Sequence, residues 1–300
     1  MNKVFKAQVT SLALEPVVAE RPWGSKAHAS FNWPAKAESR KWGEIWMACE
    51  DFGIITKVCS GPDTGQTLSY FQGRWGKGLS TPKNGQKNVL PISLRLERTG
   101  DEPGPVRVIS GEEFWYVLES SPESWLAAGA SDSLAPWPER LLKISPEPGD
   151  RLVMPGGLPR CQGPNMTVLK ALESGAMVQT LYDWERQPDV FDFSPPPKDL
   201  TIEYLEPPTL KTICEGRDRI LYQGPLYKVT LVNTNFFSSR GDGALALICP
   251  VKGRGRVVTS GANEAIRLHP GQAIVVPAGV GRYSVESGTI ISYLFFQLNK

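Results

Sequence analysis

Histidine is nearly absent from this sequence, although it is the side chain that most commonly binds transition metals. The 300 residues include two, His28 and His269. His28 lies in a polar N-terminal segment and His269 precedes a Pro-Gly turn, so neither position indicates a metal ligand. The sequence therefore excludes a metal centre built mainly from histidine.

Excess charge, long apolar segments and paired cysteines are lacking as well. Lys and Arg number 33 against 31 Asp and Glu, and this balance offers no basic surface for nucleic acid. No segment approaches the roughly 18 apolar residues of a membrane-spanning helix, and the first residues do not resemble a signal peptide. The five cysteines lack CxxC spacing, which is typical of buried thiols in a reducing compartment. We expect a cytoplasmic monomer or homodimer that binds neither nucleic acid nor membranes.

Helical periodicity is scarce, and the 29 glycines and 26 prolines predict many turns. One short helix is predicted after Gly65, where Thr67 is positioned to cap a segment that begins at Leu68. The other periodic segments are short, rich in β-branched and aromatic residues, and separated by turn-forming residues. They are 114–118, 151–154, 227–232, 244–249, 273–276 and 290–296. This pattern predicts an all-β protein with a few short helices.

An internal repeat makes the fold prediction more specific. Residues 148–157 read PGDRLVMPGG and residues 270–279 read PGQAIVVPAG. In each copy a Pro-Gly turn precedes a short apolar strand that a second Pro and Gly close, and an arginine follows three residues later, Arg160 or Arg282. The element is similar to the PG-x5-P-x-G turn of cupins, and this resemblance implies two cupin (jelly-roll) barrels in one chain.

The two barrels are predicted to be consecutive along the chain. We expect an N-terminal lobe at 1–190, a proline-rich connector at 191–211 and a C-terminal barrel at 212–300. The alternating apolar residues of the C-terminal barrel predict its core: Val229, Leu231, Leu245, Leu247, Ile274, Val276 and Leu294.

Five further segments narrow the resemblance. They are ERPWGS at 20–25, GEIW at 43–46, SGPDTGQTL at 60–68, EFWYVL at 113–118 and YDWER at 182–186. In this order and spacing the chain resembles, over essentially its whole length, the class I mannose-6-phosphate isomerases, particularly the short bacterial form. That resemblance implies interconversion of mannose 6-phosphate and fructose 6-phosphate through an enediol, with a zinc ion that polarises the sugar oxygens. It also implies four ligands: a Gln and a His two residues apart on one strand, a Glu before a WYV segment, and a His after the Pro-Gly turn.

The residues at these positions differ from the ligands. The glutamate is retained as Glu113, whereas the histidine after the turn is replaced by Arg160. The resemblance also implies a catalytic arginine before YDW, but this sequence has Thr180 at that position. Upstream, the family has an acidic, glutamine-rich segment, and the corresponding segment of this sequence begins with Lys170. Lys170 and Thr180 are therefore candidate ligand-binding residues.

Two segments of the sequence could be the strand that carries the Gln and His positions of the family. PVRVIS places Arg107 and Ile109 at the two positions, and ISLRLER places Arg95 and Glu97 there. The first register is preferred because it lies directly before Glu113. Glu113, Arg160 and Arg107 are therefore the candidate catalytic residues, and Arg95 is a candidate ligand-binding residue.

Zinc needs three or four deprotonated ligands, and arginine is never a practical one. We therefore expect no cofactor, and we predict that Arg107 and Arg160 pair with Glu113 in place of the metal. Three interpretations stay open: a bicupin without zinc or isomerase activity that binds a sugar, a sugar phosphate or a protein; an enzyme with Glu113 as acid or base; and an active isomerase with other ligands. Only the third interpretation, the active isomerase, includes a zinc ion.

Other residues of the motifs have more than one interpretation. Tryptophans 23, 42, 46, 115 and 184 lie in or beside these segments, and we expect at least three of them to pack in the core rather than against a sugar. Ser60 and Gly61 lie in a segment that is suited to approach a phosphate. Cys161 follows Arg160, and a buried, unreactive thiol is preferred there over an activated one.

Overall fold

The computed structural model describes residues 9–26, 41–75, 90–131, 135–186, 219–239 and 243–299. These residues are almost entirely β-structure, as predicted, and they contain one α-helix, α1 (Leu68–Trp75), where the sequence predicted one. In chain order the strands are β1 (Leu12–Glu15), β2 (Val17–Ala19), β3 (Ser25–Lys26), β4 (Lys41–Trp42), β5 (Glu44–Ala48), β6 (Glu50–Asp51), β7 (Ile54–Ile55), β8 (Lys57–Val58), β9 (Ile92–Arg98), β10 (Val106–Ile109), β11 (Glu113–Glu119), β12 (Leu126–Ala130), β13 (Leu141–Ile144), β14 (Arg151–Met154), β15 (Arg160–Gln162), β16 (Thr167–Glu173), β17 (Val178–Tyr182), β18 (Arg219–Gln223), β19 (Tyr227–Ser239), β20 (Ala246–Lys252), β21 (Gly255–Thr259), β22 (Ile266–Leu268), β23 (Ile274–Val276) and β24 (Tyr283–Leu298).

The strands form two compact units that alternate along the chain. Among the described residues, unit I contains 9–17, 47–75, 90–91, 219–239 and 243–299, and unit II contains 18–26, 41–46, 92–131 and 135–186. This grouping differs from the predicted N-terminal lobe at 1–190, because two N-terminal segments pack with the C-terminal residues. The predicted connector at 191–211 lies outside the described residues, so that boundary stays a prediction.

Unit I is built on a nine-stranded sheet. Its main path has the order β18-β19-β24-β20-β23-β1-β8, and β21 pairs with both β22 and β24. All seven predicted core residues of the C-terminal barrel are buried. Neighbouring residues of β20 and β23 are buried as well, so these two strands are covered on both faces. The helix α1 of the described residues is neither long nor apolar enough to cross a membrane.

Unit II is built on two sheets, with strand orders β14-β11-β16-β9-β5-β2 and β13-β12-β15-β10-β17. Its two sheets line a common interior, which is apolar in one part and charged in another. The apolar part is the cluster of Trp115, Val117, Leu126, Ala128, Leu152, Met154, Leu158, Met166 and Val168. The charged part is the site described below.

The internal repeat forms equivalent turns and strands in the two units. Gly149 and Gly271 both adopt positive φ, at 96° and 85°, and lead to β14 and β23 respectively. The copies differ at the closing turn, where Gly156 of the first is replaced by Ala278 in the second. A Cβ atom on Gly156 would lie 2.2 Å from the carbonyl oxygen of Ser110, so this close approach requires glycine.

Candidate functional site

Strand pairing gathers ionisable side chains on the inner face of unit II. Arg95 and Glu97 are two residues apart on β9, so they share one face of the sheet. Lys170 of β16 is paired with Arg95 on one side and with Trp115 of β11 on the other. This row across three strands brings charged residues that are distant in sequence to one place.

Glu113 accepts from two arginines inside the barrel and has no exposed surface. Arg95 Nη2 lies 3.1 Å from Oε1, and Arg160 Nη1 lies 3.3 Å from Oε2. Burial by itself raises the pKa of this carboxyl, but the charges of Arg95, Arg160 and Lys170 outweigh burial and hold the pKa below its ordinary value. Glu113 is therefore an ionised carboxylate with a guanidinium group on each oxygen.

Glu97 joins Lys170 to the arginines. Lys170 Nζ lies 2.9 Å from Glu97 Oε2, and Arg95 Nε lies 3.5 Å from the same oxygen. Lys170 Nζ also lies 3.8 Å from the ring centre of Trp115, within the range of a cation–π contact. Burial lowers the pKa of Lys170, and the carboxylates of Glu97 and Glu113 partly oppose that shift.

Glu44 of the GEIW segment extends the network. Arg21 Nε lies 2.9 Å from Glu44 Oε2, and Arg107 Nη1 lies 3.3 Å from Glu44 Oε1. Arg107 also lies 3.9 Å from Glu97, and this contact joins the two halves. Burial raises the pKa of Glu44, but the charges of Arg21, Arg107 and Arg95 more than reverse this effect and hold it at about 2. We call the connected set Arg21, Glu44, Arg95, Glu97, Arg107, Glu113, Arg160 and Lys170 the charge cluster.

Arg160 also holds the closing turn of the repeat. Its Nε donates to the carbonyl oxygen of Leu158 at 3.1 Å, and its Nη2 donates to the carbonyl oxygen of Pro155. Its counterpart in the second copy, Arg282, is exposed. The two repeats therefore use the equivalent arginine differently, and the one in unit II is a buried structural contact.

The charge cluster leaves almost no free space. The cavity among its side chains has a volume of about 10 Å³, which is close to the room needed by one water molecule. Its lining includes Arg95, Arg107, Glu113, Arg160 and Lys170. A sugar does not fit in this cavity with the side chains as they stand.

These residues do not fit a zinc ion. Within the described parts of the chain, no three His, Cys, Asp or Glu side chains are grouped so that they could hold a metal. The cluster instead combines five cationic side chains with three carboxylates, and both oxygens of Glu113 are paired with arginine. A divalent cation would meet an excess of positive charge here.

The structure brings most of the predicted site residues together and changes some of the expected pairs. Arg160 meets Glu113, as the sequence interpretation expected. The ion pairs of Arg107 are with Glu44 and Glu97, and Arg95 occupies the second position on Glu113. The preference for the PVRVIS strand depended on its closeness to Glu113 in sequence, whereas the contact comes from β9, which lies further away along the chain.

The remaining predicted residues have more peripheral places. Thr180 is paired with Arg107 in adjacent strands and is half-buried. Cys161 is buried, and burial raises the pKa of its thiol, so the unreactive interpretation is supported. His269 is half-buried in unit I, and His28 lies outside the described residues. Four of the five motif tryptophans are buried, Trp184 being the half-buried one, which confirms the core interpretation.

Sequence reasoning missed Arg21 and Glu44, although both lie in quoted motifs. A usable signal was present, because the glutamate precedes two bulky apolar residues in GEIW and must be buried with them in a strand. A buried carboxylate needs a cationic partner, and the arginine of ERPWGS belongs to the same set of motifs.

The two units define a cupin-type β protein. More particularly, its fold is that of the mannose-6-phosphate isomerases. The isomerase from Bacillus subtilis superposes with a TM-score of 0.69 at 15% identity, covering 96% of this chain and 99% of that one. The structure of a putative mannosephosphate isomerase from Archaeoglobus fulgidus superposes with a TM-score of 0.69 at 16% identity, covering 99% of this chain and 100% of that one. A zinc-bound mannose 6-phosphate isomerase superposes with a TM-score of 0.70 at 11% identity, covering 95% of this chain and 99% of that one. The sequence matches no protein-family model and no curated protein.

Proposed function

We propose that this protein is a bicupin that binds a carbohydrate or sugar phosphate without zinc and without isomerising it. The observation that carries the proposal is the double pairing of Glu113 with Arg95 and Arg160. In this arrangement the one ligand that the sequence shares with the isomerase pattern is fully engaged by other partners.

The electrostatics of the cluster support the absence of zinc. A zinc ligand must present a lone pair about 2.0–2.2 Å from the metal, and both Glu113 oxygens already accept hydrogen bonds from guanidinium groups. Lys170 and Arg107 add positive charge around the same interior. Binding a divalent cation would require Glu113 to break two buried ion pairs, and such a break is strongly unfavourable.

The same contacts argue against proton transfer by Glu113. A general base works best when its pKa is near the working pH, whereas the arginines keep the pKa of Glu113 below its ordinary value. The cavity of about 10 Å³ also leaves no room for a sugar carbon beside the carboxylate. The cluster therefore serves as the structural core of unit II in this proposal.

The ligand class comes from the fold likeness alone. The solved structures that share the fold carry the names of enzymes acting on mannose 6-phosphate, and a protein that loses catalysis can keep the ligand of its relatives. Cys49, Cys161 and Cys249 are buried thiols, which supports placing the protein in the reducing cytoplasm.

The proposal is tested on the full chain purified without an affinity tag. Zinc content is measured by elemental analysis, and conversion of mannose 6-phosphate to fructose 6-phosphate is assayed with and without added zinc. A zinc-bound mannose-6-phosphate isomerase treated in the same way is the positive control. We expect no zinc above background and no conversion by this protein.

Binding is measured in parallel by titration calorimetry with mannose, fructose and mannose 6-phosphate. We expect heat of binding from at least one of the three. Stoichiometric zinc together with turnover would restore the ordinary isomerase and overturn the proposal. Absence of binding to all three sugars would overturn its ligand class.

A further inference from the structure

A cavity in unit I lies beside the start of the second repeat, and its lining residues all belong to that unit. It has a volume of about 930 Å³ and is lined by the SGPD segment at 60–63, by residues of β1 and by the segment 261–269. Small-molecule sites commonly have volumes of about 300–1,000 Å³. Unit I therefore has a cavity of the size of a small-molecule site, whereas the cavity among the charge-cluster side chains has room for about one water molecule.

Gln272 lines this cavity, and its amide oxygen is buried. Gln272 precedes β23 and has 8% of its surface exposed. Its Nε2 donates to Cys59 Sγ at 3.8 Å, whereas its Oε1 has no hydrogen-bond partner among the described residues. Leaving a buried acceptor unpaired costs about 1–3 kcal/mol, so an apolar residue at this position would be more favourable for folding alone.

The walls beside Gln272 are polar and fixed. The hydroxyls of Ser11 and Thr259 are buried and lie 2.8 Å apart. Ser60 Oγ accepts from the backbone nitrogen of Ala13 at 3.0 Å, which ties the SGPD segment to β1. The polar groups of the cavity are therefore held in place before any ligand arrives, which lowers the entropic cost of binding.

The charges at the rim select the class of ligand. Two carboxylates, Asp63 and Glu264, line the cavity with one guanidinium, Arg267. Carboxylates accept hydrogen bonds from hydroxyl groups and repel phosphate. Gln272 Oε1 likewise requires a donor. A neutral molecule with several hydroxyl groups satisfies both conditions, and an anionic sugar phosphate does not.

We propose that this cavity of unit I is the ligand site of the protein and that it takes a neutral sugar or polyol, with the Gln272 side chain turning so that Oε1 accepts from a ligand hydroxyl. The inference rests on the proposed carbohydrate-binding function and adds the site and the class of ligand. In this proposal unit I binds the ligand, whereas the charge cluster of unit II has a structural role.

Cys59 provides a direct probe of this cavity, because its side chain is exposed there, whereas Cys49, Cys161 and Cys249 are buried. The full chain is used with Cys214→Ser, so that Cys59 is the reactive thiol. Maleimide labelling of Cys59 is followed at mildly alkaline pH with D-mannose, D-fructose or D-mannose 6-phosphate. At a ligand concentration of ten times Kd, labelling is expected to slow about tenfold.

The variant Gln272→Leu separates binding from folding. It removes the unpaired oxygen, so we expect thermal stability to be kept or raised while protection of Cys59 by neutral sugar is lost. Gln223→Leu is the matched control, because Gln223 is an exposed glutamine of β18 outside the cavity lining, and it should keep the protection. Labelling of the three buried cysteines would report unfolding in either variant.

The outcomes distinguish this inference from the proposed function. Binding detected by calorimetry without protection of Cys59 would overturn the site and leave the function standing. Protection that persists in Gln272→Leu, or that is stronger with mannose 6-phosphate than with mannose, would overturn the role of Gln272 or the neutral ligand class. No binding to any of the sugars would overturn both.

Discussion

Arg160 and Glu113 meet inside unit II, 47 residues apart in sequence, with Arg160 Nη1 3.3 Å from Glu113 Oε2 and both side chains almost fully buried. The contact links the strand that carries the retained glutamate to the closing turn of the first repeat, because Arg160 also binds the Pro155 carbonyl. Arg160 therefore holds the carboxylate of Glu113 and the closing turn of the first repeat at the same time.

Replacing Glu113 tests how strongly this pair holds unit II. Glu113→Gln keeps the shape of the side chain but leaves Arg95 and Arg160 without their carboxylate. Breaking a buried ion pair in this way costs about 3–5 kcal/mol. The free energy of unfolding, measured in urea, should fall by that amount. The control is Glu286→Gln, which removes the partner of the exposed Arg256 at the surface and should change stability little. Equal effects of the two variants would contradict a stabilising role for the charge cluster.

Acid should weaken the protein through Glu44. Because its pKa is about 2 in the folded protein and 4.5 ordinarily, its stabilising contribution is complete above pH about 4.5 and is lost as the pH falls towards 2. A shift of this size corresponds to roughly 3 kcal/mol. The stability difference between wild type and Glu44→Gln should therefore be large at pH 7 and much smaller near pH 2. Urea unfolding at both pH values measures it, and a constant difference would show that Glu44 is not the titrating group.

The sequence predicts local features of this molecule better than its charge pairs. The PG-x5-P-x-G repeat located β14 and β23, and apolar alternation located the core of unit I, because both signals lie within a few neighbouring residues. Arg160 was found because it follows the repeat at a fixed spacing.

The partners of Glu113 illustrate why the rest was harder to predict. Arg95 reaches Glu113 because β9 and β11 both pair with β16, and that register depends on contacts between residues far apart in the chain. Arg107 was expected there because it is closer in sequence. Arg21 reaches Glu44 across 23 residues, which no local pattern encodes.

The closing turn of the first repeat should not tolerate a side chain at Gly156. Gly156→Ala would bring a methyl group 2.2 Å from the Ser110 carbonyl oxygen and so force the backbone apart near the carbonyl group that Arg160 binds. Overpacking of this kind costs about 1–3 kcal/mol, which urea unfolding detects. Gly281→Ala is the matched control, since a Cβ atom there has no neighbour within 4 Å. If the two variants are equally stable, the close approach is not a constraint.

Building a metal site tests which strand corresponds to the isomerase ligands. The variant Arg95→Gln, Glu97→His, Arg160→His and Lys170→Met places the four-ligand pattern around Glu113 and removes the neighbouring ammonium group. Arg95 already contacts Glu113 at 3.1 Å, and alternate residues of β9 share one face, so we expect this variant to bind stoichiometric zinc.

The alternative register gives a matched control for that experiment. The variant Arg107→Gln, Ile109→His, Arg160→His and Lys170→Met instead places the Gln and the His of the pattern on β10, where Arg107 forms ion pairs with Glu44 and Glu97. Zinc is measured by elemental analysis after dialysis, and urea unfolding verifies that both variants are folded. Zinc binding by the β9 variant alone would assign the ligand positions to 95 and 97. Zinc binding by the β10 variant alone would assign them to 107 and 109 and show that contact with Glu113 in the present protein does not identify the ligand positions.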